Sequence, residues 1–248
     1  MTASGGGHPA PPSGDGVDRA DGEHEAARQE RPRQTRAMVT RQAILVAAAE
    51  QFARRGFHGT SLEAVLTAAG VTKGSLYFHF GAKLALAEAV ITQMVDGWEA
   101  VTAHVAALGL DPLRSALATT DQIVTVIEYD PVARGGAWLL SDPALPPIAA
   151  EGLFTTGETQ LTRVFAAAAS GGQLRGGLDP ARIARSVLAQ LAGHALMALR
   201  SPQPPELWER VTDMWLGLLP AIATPEWLAG WAEADWAGRP RPRLVTTG

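Results

Sequence analysis

EAVLTAAGVTKGSLYFHFGAK, residues 63–83, decides how the rest of the chain is read. Gly70 marks a tight turn between two short helical segments. After it, Thr72, Lys73, Ser75, Tyr77 and His79 crowd hydrogen-bond donors into one run, with apolar Leu76 and Phe80 one turn apart among them. A core helix has no use for so many donors, and a solvent-facing helix has no use for so many aromatics. A helix that anchors itself by its apolar positions while presenting donors to a polyanion uses both.

The flanking sequence supports that reading. Ile44, Ala48 and Phe52 fall at i, i+4 and i+8, so a first helix runs from about Val39 until Arg54-Arg55-Gly56, with cations in its last turn and glycine after it. TSLE follows, with Thr60 expected as the N-cap and Glu63 three residues on, the capping-box pattern. Leu62, Val65 and Leu66 give the second helix one apolar face, and Gly70 ends it. Thr72 caps a third helix, closed at Gly81. Residues 39–81 therefore form three helices, the last two as a helix-turn-helix, a unit that lays its second helix in the DNA major groove, N-terminal end first.

Each donor then has a part. Thr72, Lys73 and Ser75 open the third helix, where backbone N–H groups already favour phosphate. Gly74 allows close approach. Tyr77 can hydrogen-bond a phosphate or lie against a thymine methyl, and His79 and Lys83 reach the flanking backbone. Thr60 and Ser61, at the start of the preceding helix, join the DNA-binding set, with Arg36 and Arg41 either as phosphate contacts or as plain solvated charges.

Charge distribution agrees. Net charge is -4 over 248 residues, which alone argues against a nucleic-acid partner. By segment, residues 1–30 carry -4, residues 31–83 carry +6 and residues 84–248 carry -6. A basic block between acidic ones is a partner signal that the average hides.

The stretch FARRGFHGTSLEAVLTAAGVTKGSLYFHFGAK, residues 52–83, resembles the TetR family of bacterial repressors. The resemblance implies a homodimer on a palindromic operator, and a C-terminal helical domain whose small ligand releases the DNA. RGGAWL, SGGQL and ELWERVTDMWLGLLPAIATPEWL extend it over roughly residues 38–235 and make the chain similar to the γ-butyrolactone receptors of actinomycetes. Those receptors carry an aromatic followed three residues later by a tryptophan that lines the lactone pocket. Here Phe154 is followed by Gly157, so the resemblance leaves room for a furan, a butenolide or an antibiotic intermediate, with nearby Trp138 as a substitute aromatic.

Downstream of residue 83 the helical period continues and no alternating strand pattern appears, so the fold class is all-α. A long helix is expected from Ala82 to about Leu108. DPLRSALATTDQIVTVIEY begins with Asp111 as cap and Pro112 in the first helical position. PVARGGAWLL reads as a short, glycine-broken segment, and four further helices follow. The expected organisation is a disordered tail at 1–36, a helix-turn-helix domain at 37–83, a ligand-binding and dimerisation domain at 84–237 and a flexible C-terminus at 238–248. Trp98, Trp138, Phe154 and Phe165 are candidates for lining a small, mostly apolar ligand's cavity between helices, or for ordinary core. Gln122 and Thr125, polar within an apolar helix, could orient a carbonyl, and His194 on HALMAL is either a ligand contact or a core histidine. Two neighbouring helices within residues 179–221, rich in Leu, Val, Met and Trp, are expected to form a four-helix dimer interface with a second copy.

Other classes are excluded. HExxH, GxSxG and GxxxxGK[ST] are absent, no two histidines share metal-ligand spacing with a carboxylate, and no cofactor motif occurs. With no cysteine, no apolar stretch long enough to span a bilayer and no signal peptide, a cytoplasmic protein is expected. Two alternatives to a repressor stay open: a helical small-molecule sequestering protein without DNA binding, and an activator with the same DNA contacts.

Overall fold

The computed structural model describes residues 17–143, 145, 148–200, 207–232 and 239–244. The chain divides into two compact units, residues 1–42 and 43–248. Ten helices are found among the described residues: α1 (Val17–Gly59), α2 (Leu62–Ala69), α3 (Lys73–His79), α4 (Lys83–Ala107), α5 (Pro112–Tyr129), α6 (Pro131–Leu140), α7 (Ile148–Ser170), α8 (Pro180–Arg200), α9 (Leu207–Ile222) and α10 (Pro225–Ala232). An isolated antiparallel bridge joins Leu174 to Ala223. The all-α class is as the periodicity requires.

In the first unit, helical backbone begins at Val17, inside the segment expected as a tail. EHEAARQER is built of strong helix formers, which the low apolar content of the tail had masked. Residues 1–16 lie outside the described residues.

The second unit begins with the amphipathic end of α1. Ile44, Leu45, Ala48, Ala49 and Phe52 are fully buried and join Val65, Leu76, Phe80, Leu86 and Val90 in one core. Gly56 breaks the helical path at φ 70°, where the sequence expected the stop. The cap of α2 differs from expectation by one residue. Ser61 is the N-cap, its hydroxyl accepting the Ala64 N–H at 3.1 Å. Thr60 is buried, and its hydroxyl donates to the Gly56 carbonyl at 2.8 Å, so it closes the end of α1 instead of opening α2.

Helix α6 corrects the expectation of a glycine-broken segment. PVARGGAWLL is one continuous helix, capped by Asp130, whose Oδ1 accepts the N–H groups of Val132 and Ala133. Its glycines serve close approach. A Cβ on Gly135 would stand 2.5 Å from the Ala49 carbonyl oxygen, and one on Gly136 would stand 2.8 Å from the Met94 sulfur. The absence of side chains there lets α6 lie directly on α1 and α4.

A larger core joins α5, α7, α8, α9 and α10. Phe165, Val187, Val211, Trp215 and Leu219 fill it, and Trp227 and Trp231, stacked with centroids 6.2 Å apart, close its edge. The indole N–H of fully buried Trp215 donates to the Thr120 hydroxyl at 2.8 Å.

Candidate DNA-reading helix and ligand cavity

Helix α3 is seated by Leu76 and Phe80, which are 0% and 4% exposed. Thr72 caps it, its hydroxyl accepting the Ser75 N–H at 3.2 Å. With the apolar positions turned into the core, Thr72, Lys73, Gly74 and Tyr77 are exposed together, and Ser75 and His79 are half-buried beside them. The Lys73 ammonium lies 5.9 Å from the Tyr77 ring centroid, placing a cation and a phenol hydroxyl on one patch. Phe78, which the sequence reading did not single out, is 81% exposed and meets the His79 ring edge-on at 5.0 Å. Its signal lay in the sequence: a phenylalanine two residues beyond buried Leu76 must point away from the core in a helix.

The other expected DNA contacts are placed differently. Ser61 is exposed and occupied as a cap, and Thr60 is 1% exposed. The Lys83 ammonium turns inward, donating to the carbonyls of Phe57 at 2.8 Å and Thr60 at 2.9 Å, 4.6 Å from the Phe57 ring centroid. It closes the chain end of α1 onto α4. Arg36 and Arg41 belong to the first unit, both exposed on α1.

The cavity lies among α4, α5, α7 and α8 and encloses about 120 Å³. Trp98 and Phe154 line it, as do Gly157, Thr102, Thr119 and Gln160. The remaining expected ligand residues lie elsewhere. Phe165 is 0% exposed in the larger core. The Thr125 hydroxyl is spent on the Asp121 carbonyl at 2.9 Å, and Gln122 is buried without a partner for its side-chain oxygen among the described residues. The His194 Nδ1 is likewise buried and has no partner among the described residues, and Trp138 lies against Gly56 and Arg200. Gly157, where the resemblance called for a tryptophan, is part of the wall, and a Cβ there would be in ordinary contact with Leu188. Thr119, Ile123 and Ile127 form the α5 face of this cavity; their i, i+4, i+8 spacing places them on one face, and the sequence reading did not single them out.

Within this wall the Trp98 indole N–H is buried and has no hydrogen-bond partner among the described residues. A buried donor left unpaired is costly. It lies in a wall that is mostly apolar, with Thr102, Thr119, Thr120 and Gln160 as the polar side chains.

Comparison with known proteins follows the same division. A family model for bacterial regulatory proteins of the tetR family matches residues 44–90. A solved structure described as the molecular basis for control of antibiotic production by bacterial hormones is 32% identical, with a TM-score of 0.65, over 75% of this chain and 98% of that one. The chain belongs to the TetR family. As a TetR-family regulator it is a transcription factor and not an enzyme. It is 28% identical to the A-factor receptor protein of Streptomyces griseus over 200 residues, 78% of this chain and 67% of that protein. CprB from Streptomyces coelicolor, solved in complex with its biological operator sequence, is 26% identical with a TM-score of 0.69, covering 80% of this chain and 95% of that one. Among the described residues of this TetR-family chain, no helix is long and apolar enough to cross a membrane.

Proposed function

We propose that the protein is a ligand-responsive transcriptional repressor of the cytoplasm. It binds a palindromic operator as a homodimer and leaves it when a small signalling molecule of γ-butyrolactone, furan, butenolide or antibiotic-related type enters the cavity. The single observation that carries this reading is the junction of an exposed, donor-rich α3 face with a separate apolar cavity in one unit of the chain. Lys73, Tyr77 and the α3 N-terminus hold phosphates, which supplies most of the affinity, and the exposed edge of α3 reads bases. Phe78 adds an apolar surface suited to a thymine methyl.

The dimer forms through α8 and α9, within residues 179–221. Ala189, Gly193 and Met197 follow one another at i+4 on the exposed face of α8, and Leu216, Gly217 and Pro220 are exposed on α9. Apolar side chains and glycines on two neighbouring helices suit a close helix-on-helix contact with a second copy. Residues 201–206 of that segment lie outside the described residues. The signal acts by population shift: it favours a conformation in which the two α3 helices no longer match one turn of DNA, ~34–36 Å apart.

The test is fluorescence anisotropy of the purified protein on DNA from upstream of its own and neighbouring genes, with and without an organic extract of the producing culture. Specific binding released by extract is expected. Specific binding that ignores the extract would remove the ligand response, and absence of binding to every fragment would favour the sequestering alternative.

A further inference from the structure

Outside the α3 face and the cavity, one buried cluster of charge serves neither. Asp121 and Glu128 lie seven residues apart on α5, so they share a face, and helical spacing sets that face on the other side of α5 from Thr119, Ile123 and Ile127. The C-terminal segment runs across it. Arg239 grips the Asp121 carboxylate with both arms of its fork, Nε donating to Oδ2 at 2.7 Å and Nη2 to Oδ1. Its Nη1 donates to the Thr212 hydroxyl at 3.3 Å, and its cation lies 4.3 Å from the Trp208 ring centroid. Arg241 donates to Glu128 Oε2 and to the Tyr129 hydroxyl, each at 2.8 Å, and lies 5.5 Å from the same indole.

These are the elements of a built guanidinium site. A bidentate carboxylate fixes the plane of the fork, a hydroxyl takes a further N–H, and an indole face covers the cation. The Arg239–Asp121 side chains are only 13% and 10% exposed, unlike the surface pairs Arg54–Glu50 and Arg182–Asp179. Pro240 and Pro242 stiffen the segment, so two arginines two residues apart reach one indole at a small cost in chain entropy.

We propose that α5 and α9 form a guanidinium-binding site whose resident ligand is the chain's own Arg239-Pro240-Arg241 segment, and that its occupancy braces α5, the helix whose other face walls the cavity. The brace is exchangeable. Two charges taken out of water lose in hydration much of what they gain by pairing, so an occupied site can open and refill. The site stands whether or not the cavity takes the signal proposed above.

The full-length double variant Arg239→Ala/Arg241→Ala empties the site, and the synthetic peptide Arg-Pro-Arg-Pro-Arg-Leu, which repeats residues 239–244, serves as probe. By calorimetry the variant binds the peptide saturably and the wild-type protein, its site held by the tethered segment, binds it at least about tenfold more weakly; equal binding by the two overturns the assignment of that segment as the resident ligand. A peptide with lysine for each arginine binds at least about tenfold more weakly, because an ammonium cannot fork. In hydrogen exchange, amides of α5 exchange roughly tenfold faster in the variant than in wild type and slow again when the arginine peptide is added, while α2 and α3 do not change. No uptake of peptide by a folded variant, equal binding of the lysine peptide, or unchanged α5 exchange overturns the proposal. Should the double variant not fold, Arg239→Lys in the full chain keeps the charge and loses the fork; α5 exchange intermediate between wild type and the emptied site is expected, and exchange equal to wild type overturns the bidentate seat.

Discussion

Asp142 Oδ2 accepts the backbone N–H of Phe57 at 2.8 Å, tying the second residue after α6 to the residue after the Gly56 break, 85 positions away. The carbonyl of the same Phe57 is held by Lys83 at the start of α4. One residue is thus gripped on both of its flanking peptide groups, from the segment that follows α6, the helix lying on α1 and α4, and from the long helix that leads to the cavity wall at Trp98. Asp142→Ala removes a charge-assisted hydrogen bond, worth about 1–3 kcal/mol of stability. Operator affinity should stay within a few-fold, because α3 keeps its own anchors, while release by extract becomes weaker. Urea unfolding and anisotropy on the same preparation check both. Unimpaired release would show that this bond does not transmit the signal.

Lys73 and Lys83 separate by the salt dependence of operator binding. Lys73 is exposed on α3, and Lys73→Met should flatten the slope of log affinity against log salt by about 1 for each phosphate the lysine neutralises. Lys83 faces protein carbonyls. Lys83→Met should leave the slope unchanged, lower affinity through a loosened α2–α3 unit, and reduce the unfolding free energy by about 2 kcal/mol. A flattened slope for Lys83→Met would restore it to the DNA surface.

Much of this was legible because it is local. Gly70, Thr72 and the spacing of Leu76 to Phe80 fix α2, α3 and their exposed face within a dozen residues, so pattern alone finds them. That Lys83 turns inward is not legible locally, because its partners, the Phe57 and Thr60 carbonyls, come from a turn whose geometry only the fold supplies. Thr60 and Ser61 are equally good caps in sequence, and burial of Thr60 against Gly56 decides between them. Gly135 and Gly136 read as breakers because the residues that need their small size, Ala49 and Met94, lie on other helices. Of the aromatic residues expected at the cavity, Trp98 and Phe154 line it and Phe165 does not. Phe154 and Phe165 share one face of α7, about three turns apart, so depth along the helix separates them, and that is set by what packs beside α7 and not by the local pattern.

The two α6 glycines predict unequal costs for the same substitution. Gly135→Ala would drive a Cβ to 2.5 Å from the Ala49 carbonyl oxygen, and backbone cannot yield without moving α6 off α1. A loss of about 2–3 kcal/mol is expected. Gly136→Ala meets the side chain of Met94, which can change rotamer, so about 1 kcal/mol or less is expected. Thermal unfolding of the two variants side by side gives the answer, and equal effects would place the tight contact elsewhere.

The Trp98 indole N–H supplies a test of the cavity that does not depend on knowing the ligand. Trp98→Phe removes a buried donor that has no partner among the described residues, so the ligand-free protein should lose little stability or gain up to about 1 kcal/mol. Release from the operator by extract should require more extract, because the acceptor oxygen of the signal loses its donor. If stability falls by several kcal/mol and release is unchanged, the ring is a packing element and the signal lies elsewhere.

Asp121 sets a pH dependence with a definite sign. Burial pushes its carboxyl above the ordinary 3.8, and the hydrogen bond and charge of Arg239 pull it back only in part. In the folded protein it therefore holds its proton to higher pH than in the unfolded chain. Below 3.8 both states are protonated and the carboxyl costs nothing; as pH rises through the raised value the folded state alone resists ionisation, and stability is lost until both states are charged. Asp121→Asn abolishes this titration. Wild-type stability measured relative to Asp121→Asn should fall as pH rises from about 3.8 and level off above the raised value, a comparison in which every other carboxylate cancels. Urea unfolding at fixed ionic strength across that range reads it. A gap that widens in favour of wild type with rising pH would mean that the Arg239 pairing outweighs burial, and that the C-terminal segment is held as a strong ion pair instead of an exchangeable one.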